Sequence, residues 1–189
     1  MGFYRLSFIP TLILGKSNLS TGDPMSLAGK RPSRLWRLLF RIPLHMHNVG
    51  LRGWERHIGV QLMKITTKGR RTEKPHSVLV DVIGHDQEED AYYVSSAYGA
   101  SADWVRNIRA DPIFRVKVGK KIFDAEARRI PGRDAEDMLM RYIKEHRGYV
   151  KGLYKMMGID LDEISEDDLR AILREEMVLE IAPAKNDDP

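Results

Sequence analysis

The chain has 189 residues, enough for one domain with an ordinary hydrophobic core, and its 42% hydrophobic and 31% charged residues mark it as globular. It has no cysteine, which excludes disulfides, thiolate metal sites and thiol catalysis, and no run approaches the roughly 18 apolar residues of a membrane-spanning helix. The net charge of +4 conceals an asymmetry: residues 30–76 hold twelve Lys/Arg against two acidic residues, and residues 158–189 hold eleven acidic against three basic. A basic first half points to an anionic ligand, nucleic acid or a membrane surface, and an acidic C-terminal part reads as a solubilising face.

Taken in order, residues 1–31 read as a flexible leader. The apolar patch Phe8–Leu14 is broken by Pro10, has little positive charge before it and no A-x-A site after it, so a signal peptide is disfavoured, and Met25 is an alternative start. Leu35, Leu38, Leu39 and Ile42 fall at i, i+3, i+4 and i+7 among Arg34, Arg37 and Arg41, which predicts a basic amphipathic helix over 34–42 ended by Pro43. The favoured reading packs this helix on the domain; the alternative lays it on an anionic membrane surface as a peripheral contact. His45 and His47 lack a third ligand at metal-site spacing, so no metal is expected.

Gln61–Thr67, apolar and β-branched, predicts a strand, and Ser77–Ile83 (S-V-L-V-D-V-I) predicts a second. Between them Lys68, Arg70, Arg71 and Lys74 surround Gly69, whose freedom to take φ > 0 would turn backbone N–H groups toward an anion. Neither G-x-x-x-x-G-K-[ST] nor G-x-G-x-x-G occurs, so this is a candidate β-turn-β anion site distinct from a P-loop. A solvated basic hairpin tip is the plain alternative.

Ala91–Ser96 predicts a third strand after the polar H-D-Q-E-E-D turn, and Tyr98-Gly99-Ala100 opens a loop. Asp103 is expected to cap a helix running to Ala110, with Trp104 and Ile108 inward and Arg106 and Arg109 on a second face. Ile113–Val118 and Lys121–Ile130 predict a hairpin turning at Gly119-Lys120. Asp134–His146 is helical by the spacing of Met138, Leu139, Tyr142 and Ile143, and Tyr149–Met157 continues as a further helical piece. Ser165 with Asp168 forms a capping-box pattern before Leu169, Ile172 and Leu173, in a helix ending near Glu175, and Met177–Ala182 predicts the last strand. Short strands in succession with no βαβ rhythm indicate an α+β fold, a mostly antiparallel barrel with covering helices.

The ordered segments R-L-L-F-R-I-P, T-T-K-G-R-R-T-E-K-P, Y-Y-V-S-S-A-Y-G, D-W-V-R-N-I-R-A-D-P and V-L-E-I-A-P resemble the deazaflavin-dependent nitroreductase family. That resemblance implies the split β-barrel fold of FMN-binding flavoproteins over residues 32–183, with a tail at 184–189. It implies binding of coenzyme F-420 and hydride transfer to a quinone, nitroaromatic or similar small acceptor. Carried onto this sequence, Lys68, Gly69, Arg70 and Arg71 would hold the cofactor's phosphate and oligoglutamate tail, with His76 where the family has arginine. Ser95, Ser96 and Gly99 would form the turn passing the deazaflavin ring, with Tyr98 covering the ring, and Trp104 and Asn107 the W-x-x-N helix start; Trp104 reads equally as a core anchor. The hydroxyls of Ser96 and Tyr149 would donate to the charge developing on the acceptor.

The sequence departs from the family pattern at Glu73, in place of glycine, at His76, and at Ala97-Tyr98 in the ring turn. Tyr154 is displaced by two positions from a family tyrosine, and residues 158–176 read as an insertion. The alternatives are an FMN-binding split-barrel oxidoreductase or flavin-binding protein and, from another class, an anionic membrane or nucleic-acid binding module. Nucleic acid is not expected as a partner, because aromatic residues do not interleave with the basic ones. A monomer or homodimer is expected, cytoplasmic or peripheral to the inner membrane face.

Overall fold

The computed structural model describes residues 59–156 and 160–185; the leader, the helix expected over 34–42 and the His45–His47 pair lie outside the described residues. Six strands form β1 (Leu62–Lys68), β2 (Pro75–Asp86), β3 (Ala91–Ser96), β4 (Phe114–Val118), β5 (Lys121–Ile130) and β6 (Met177–Pro183). They close an antiparallel barrel in the order β1-β2-β3-β6-β5-β4, with β4 returning to pair with β1. Among the described residues four α-helices accompany it: α1 (Asp103–Ala110), α2 (Gly132–Glu145), α3 (Arg147–Met156) and α4 (Glu166–Glu175). The α+β barrel with helical covers read from the sequence is therefore the fold. Strand β2 is longer than expected, because His85 and Asp86 pair with Tyr92 and Ala91 where the polar sequence suggests a turn.

Strand alternation divides the apolar residues between two cores. Met63, Ile65, Val80, Val94, Val116 and Ile181 point into the barrel, where Trp104, Val105 and Ile108 of α1 join them. Leu62, Leu79 and Val178 point outward and are covered by α2, α3 and α4 through Leu139, Ile143, Val150 and Leu173. Each such side chain contributes about 1.5–3 kcal/mol through burial, so the outer core fixes the helices as firmly as the inner one fixes the barrel. Asp81 pairs with Leu62 across β1 and β2, so the same alternation sends its carboxyl outward, beneath the helices.

The segment read as an insertion carries α4. Ser165 caps it by accepting the Asp168 N–H (3.1 Å), and its own hydroxyl donates to the Asp168 carboxylate (2.6 Å). Arg170 (2.6 Å) and Arg174 (3.0 Å) both donate to Glu136, tying α4 to α2. Asp103 does not cap α1; Ala102 precedes the helix with no side-chain cap, and Asp103 is its first residue. Its carboxylate accepts instead from Arg70.

Candidate active site

Between β1 and β2 the chain reverses over Gly69–Lys74 and closes on itself. Gly69 N–H donates to the Lys74 carbonyl (2.9 Å), while the N–H groups of Thr72 (3.1 Å) and Glu73 (2.7 Å) both donate to the Gly69 carbonyl. The expectation of positive φ at Gly69 is corrected, since the left-handed residue of this turn is Glu73, at φ 54°. Gly69 is required for space: a Cβ there would lie 2.5 Å from His76 Cδ2 and 2.7 Å from Thr72 Oγ1. Four of the turn's backbone N–H groups are engaged, these three in closing the turn and that of Arg70 on Asn107 Oδ1 (3.3 Å). Anion affinity here falls chiefly to side chains, which suits guanidinium chemistry.

Those side chains divide by role. Arg70 donates from Nη1 to Asn107 Oδ1 (3.1 Å) and from Nη2 to Asp103 Oδ1 (3.3 Å), and the buried Asn107 donates from Nδ2 to Thr67 Oγ1 (3.1 Å). Asn107 is thus a clasp between β1, the basic turn and α1. His76 stands over Gly69 with Nε2 3.0 Å from Thr72 Oγ1. Lys68 pairs with Glu73 at 3.7 Å in solvent, an interaction worth under about 1 kcal/mol. Arg71 and Lys74 are exposed and have no partner among the described residues. Helical spacing places the exposed Arg106 one turn beyond Asp103, which Arg70 holds. The sequence showed Arg106 on a helix face but carried no signal that Asp103, one turn earlier, meets the basic turn.

At the end of β3 the two serines face opposite sides. Ser96 shares the inward alternation of Val94, and its hydroxyl donates to the Gly99 carbonyl (3.1 Å); Ser95 points outward and donates to the Glu176 carboxylate. Gly99 is needed twice over, with φ 53° and only 3.0 Å between the position of a Cβ and the Glu175 carbonyl. The short 3-10 turn Gly99–Ser101 runs directly into α1, so the ring turn and the W-x-x-N helix are one continuous piece. Tyr98 is half-buried against the barrel core, and Trp104, 2% exposed, lies within that core with its indole N–H unpartnered. Its position is that of the core anchor.

The structure therefore brings Lys68–Arg71, Ser96–Gly99 and Trp104–Asn107 into one connected region. Tyr149 stands outside it. It lies on α3 with its hydroxyl donating to Asp81 (3.2 Å to Oδ1), while the Ser96 hydroxyl is engaged by Gly99, so the two expected acceptor-side donors have separate partners. Burial pushes the Asp81 carboxyl up to about 7, opposed by the Tyr149 and Tyr142 hydroxyls and reinforced by Glu176. Burial also raises Glu176, opposed by hydrogen bonds from Ser95 and Tyr154. The sequence reading missed Asp81 and Glu176; the one available signal was a lone aspartate in the apolar run V-L-V-D-V-I. Among the described residues no three His, Asp or Glu gather as a metal site, and no helix is long and apolar enough to cross a membrane.

The fold and site define the class by architecture: a closed antiparallel barrel whose basic β1–β2 turn is clasped to the helix that continues the β3 strand-end turn. Residues 44–159, more than half of the chain, match the F-420H(2)-dependent quinone reductase family, and the chain belongs to that family. It is accordingly a coenzyme F-420-dependent oxidoreductase. Among solved structures, an F-420-H2-dependent reductase (FDR-A) is similar at 18% identity, covering 64% of this chain and 92% of that one with a TM-score of 0.40. A structure described as a domain-swapped dimer is 18% identical over 64% of this chain and 78% of that one, TM-score 0.41. A pyridoxamine 5'-phosphate oxidase-related, FMN-binding protein from Nostoc punctiforme is 9% identical over 78% of this chain and 80% of that one, TM-score 0.41. Comparison with curated proteins gives no match.

Proposed function

We propose that this protein transfers a hydride from reduced coenzyme F-420 to a quinone, with nitroaromatics as further acceptors of the same site. The observation that carries the reading is the Arg70–Asn107 clasp, which fastens the basic turn to the helix that continues from the ring turn. The donor set fits a planar ring bearing a polyanionic tail. Arg71 and Lys74 are exposed cations without competing partners among the described residues, and Arg106 extends them along α1. In this reading Arg71, Lys74 and Arg106 hold the phosphate and oligoglutamate tail, and Lys68 joins them by exchanging its weak pairing with Glu73. Arg70, Gly69, His76 and Asn107 give the turn its shape.

When bound, the deazaflavin supplies the hydride, and the protein's part is binding, orientation and electrostatics. The start of α1 lends partial positive charge to the ring side. Ser96 holds the ring turn through Gly99 while Ser95 anchors its outer side to Glu176, and Tyr98 and Trp104 line the barrel end of the turn. Tyr149 fastens α3 over β2, and solvent completes protonation of the acceptor.

The test is a fluorescence-quenching titration of the purified protein with F-420 and with FMN, followed by turnover of reduced F-420 with a short-chain quinone and a nitroaromatic. F-420 binding with quinone turnover is expected. Tight FMN binding without F-420 binding would overturn the reading in favour of the flavin alternative.

A further inference from the structure

Behind the Ser96–Gly99 turn, on the outward face of the barrel, two carboxyls line one cavity with no cation beside them among the described residues. Asp81 comes from the middle of β2, and Glu176 from the link between α4 and β6. Each carboxyl has hydroxyl donors: Tyr149 on Asp81 (3.2 Å), and Ser95 and Tyr154 (3.4 Å) on Glu176. Between them lies a cavity of about 20 Å3, walled on its other sides by apolar side chains of β2, α2, α3 and α4. The titratable groups facing this cavity or its carboxyls are Asp81 from β2, Tyr142 from α2, Tyr149 and Tyr154 from α3, and Glu176 ahead of β6; β3 contributes Ser95. His146 packs against the Tyr142 ring, centroids 4.7 Å apart, and no lysine, arginine or histidine among the described residues lines the space.

Tyr142 provides the independent observation. Its side chain is 4% exposed, it lines the cavity, and its hydroxyl makes no hydrogen bond. It lies close enough to Asp81 for its hydroxyl dipole to favour the carboxylate, yet the contact falls short of direct hydrogen-bond geometry. A buried donor is rarely left in that state, and the cavity has room for one water with several polar partners. A water there would accept from Tyr142 and donate to Asp81 and Glu176, satisfying the stranded hydroxyl. Two buried carboxylates with no counter-charge would not both remain ionised.

We propose that this cavity is a one-water site in which Asp81 and Glu176 together retain a single proton at neutral pH, locking the helical cover α2–α4 onto the barrel behind the Ser96–Gly99 turn. When that proton passes to solvent, two anions remain in an apolar layer and the seam between β2 and the Glu175–Glu176 link loosens. The Glu175 carbonyl packs against Gly99, so the loosening reaches the ring turn. The site stands on its own residues and does not depend on which cofactor the protein binds.

Infrared spectroscopy of the unmodified protein at neutral pH is the direct test. A protonated-carboxyl band that shifts in heavy water and disappears on raising the pH is expected, and its absence overturns the proposal whether or not any variant folds. Asp81→Asn and Glu176→Gln should each shift or abolish that band. An unchanged band in both variants places the proton elsewhere and likewise overturns it. A high-resolution crystal structure should show one water bonded to the Tyr142 hydroxyl, and it should be absent from Tyr142→Phe; a dry cavity refutes the water site.

Discussion

Arg70 and Arg71 are neighbours in a basic run, yet they have different tasks. Arg70 is held by Asn107 and Asp103, whereas Arg71 is exposed and without a partner among the described residues. Arg70→Ala leaves the Asn107 carbonyl without its charged donor and should cost about 1–2 kcal/mol, visible in the melting temperature. Arg71→Ala should leave melting unchanged and weaken F-420 roughly tenfold or more, the value of one charge-assisted contact to phosphate or carboxylate. Equal effects of the two variants on melting and on binding would refute this division. In the sequence these arginines look alike because the residue that separates them, Asn107, lies 37 positions away. Gly69 shows the same limit: glycine in a turn suggests φ > 0, but the demand is the His76 imidazole 2.5 Å from the missing Cβ. Gly69→Ala should therefore destabilise by about 1–3 kcal/mol, and His76→Ala in the same chain should recover much of that loss. Denaturant melts of both single variants and the double variant would show it; strict additivity would exclude the clash.

At the scale of elements, alternation is enough to place the strands: β1, β2 and β6 divide their side chains between two cores, and β4 turns Phe114, Val116 and Val118 inward and Arg115 and Lys117 outward. The Ser165 cap is equally legible, since its bond is local and carried by residue type. What local pattern does not supply is partnership. Asp103 has the residue type of a cap although Arg70 holds it, and the acidic segment 158–176 has the look of an insertion although Arg170 and Arg174 bind it to Glu136. Ser165→Ala should cost about 1 kcal/mol, read from denaturant unfolding, if α4 is integral to the cover. The hydrogen bonds from Arg170 and Arg174 hold the Glu136 carboxyl below its ordinary 4.5. A depressed acid contributes stability above its unfolded value and loses it as pH falls through the folded one, so this tie weakens on the acid side of 4.5. Glu136→Gln should remove that part of the acid dependence, and an unaltered acid limb would show that the tie carries no weight.

The whole molecule combines that acid limb with one of opposite sign. The Asp81 carboxyl, ordinarily at 3.8, is raised by burial to about 7. Between those values the folded chain holds a proton that the unfolded chain has released, so stability is greatest below the lower value and declines as pH rises through the upper one. Every tenfold by which the folded chain binds that proton more tightly is worth about 1.4 kcal/mol, so the decline is on the order of a few kcal/mol. Stability should therefore peak near the ordinary carboxylate range, where the Glu136 tie is complete and the decline set by the buried pair has only begun. Both halves of the pair are visible in the sequence, one in an apolar strand and one in an acidic run, but nothing local relates positions 81 and 176. Their meeting follows from barrel closure, which sets β2 beside β3 and β3 beside β6. Asp81→Asn should flatten the decline above pH ~5 and leave the acid limb intact, raising the melting temperature near pH ~8 by several degrees. Urea unfolding of both proteins across that range decides it: parallel curves would mean that Asp81 is ionised in the folded chain throughout, and the alkaline limb would then need another source.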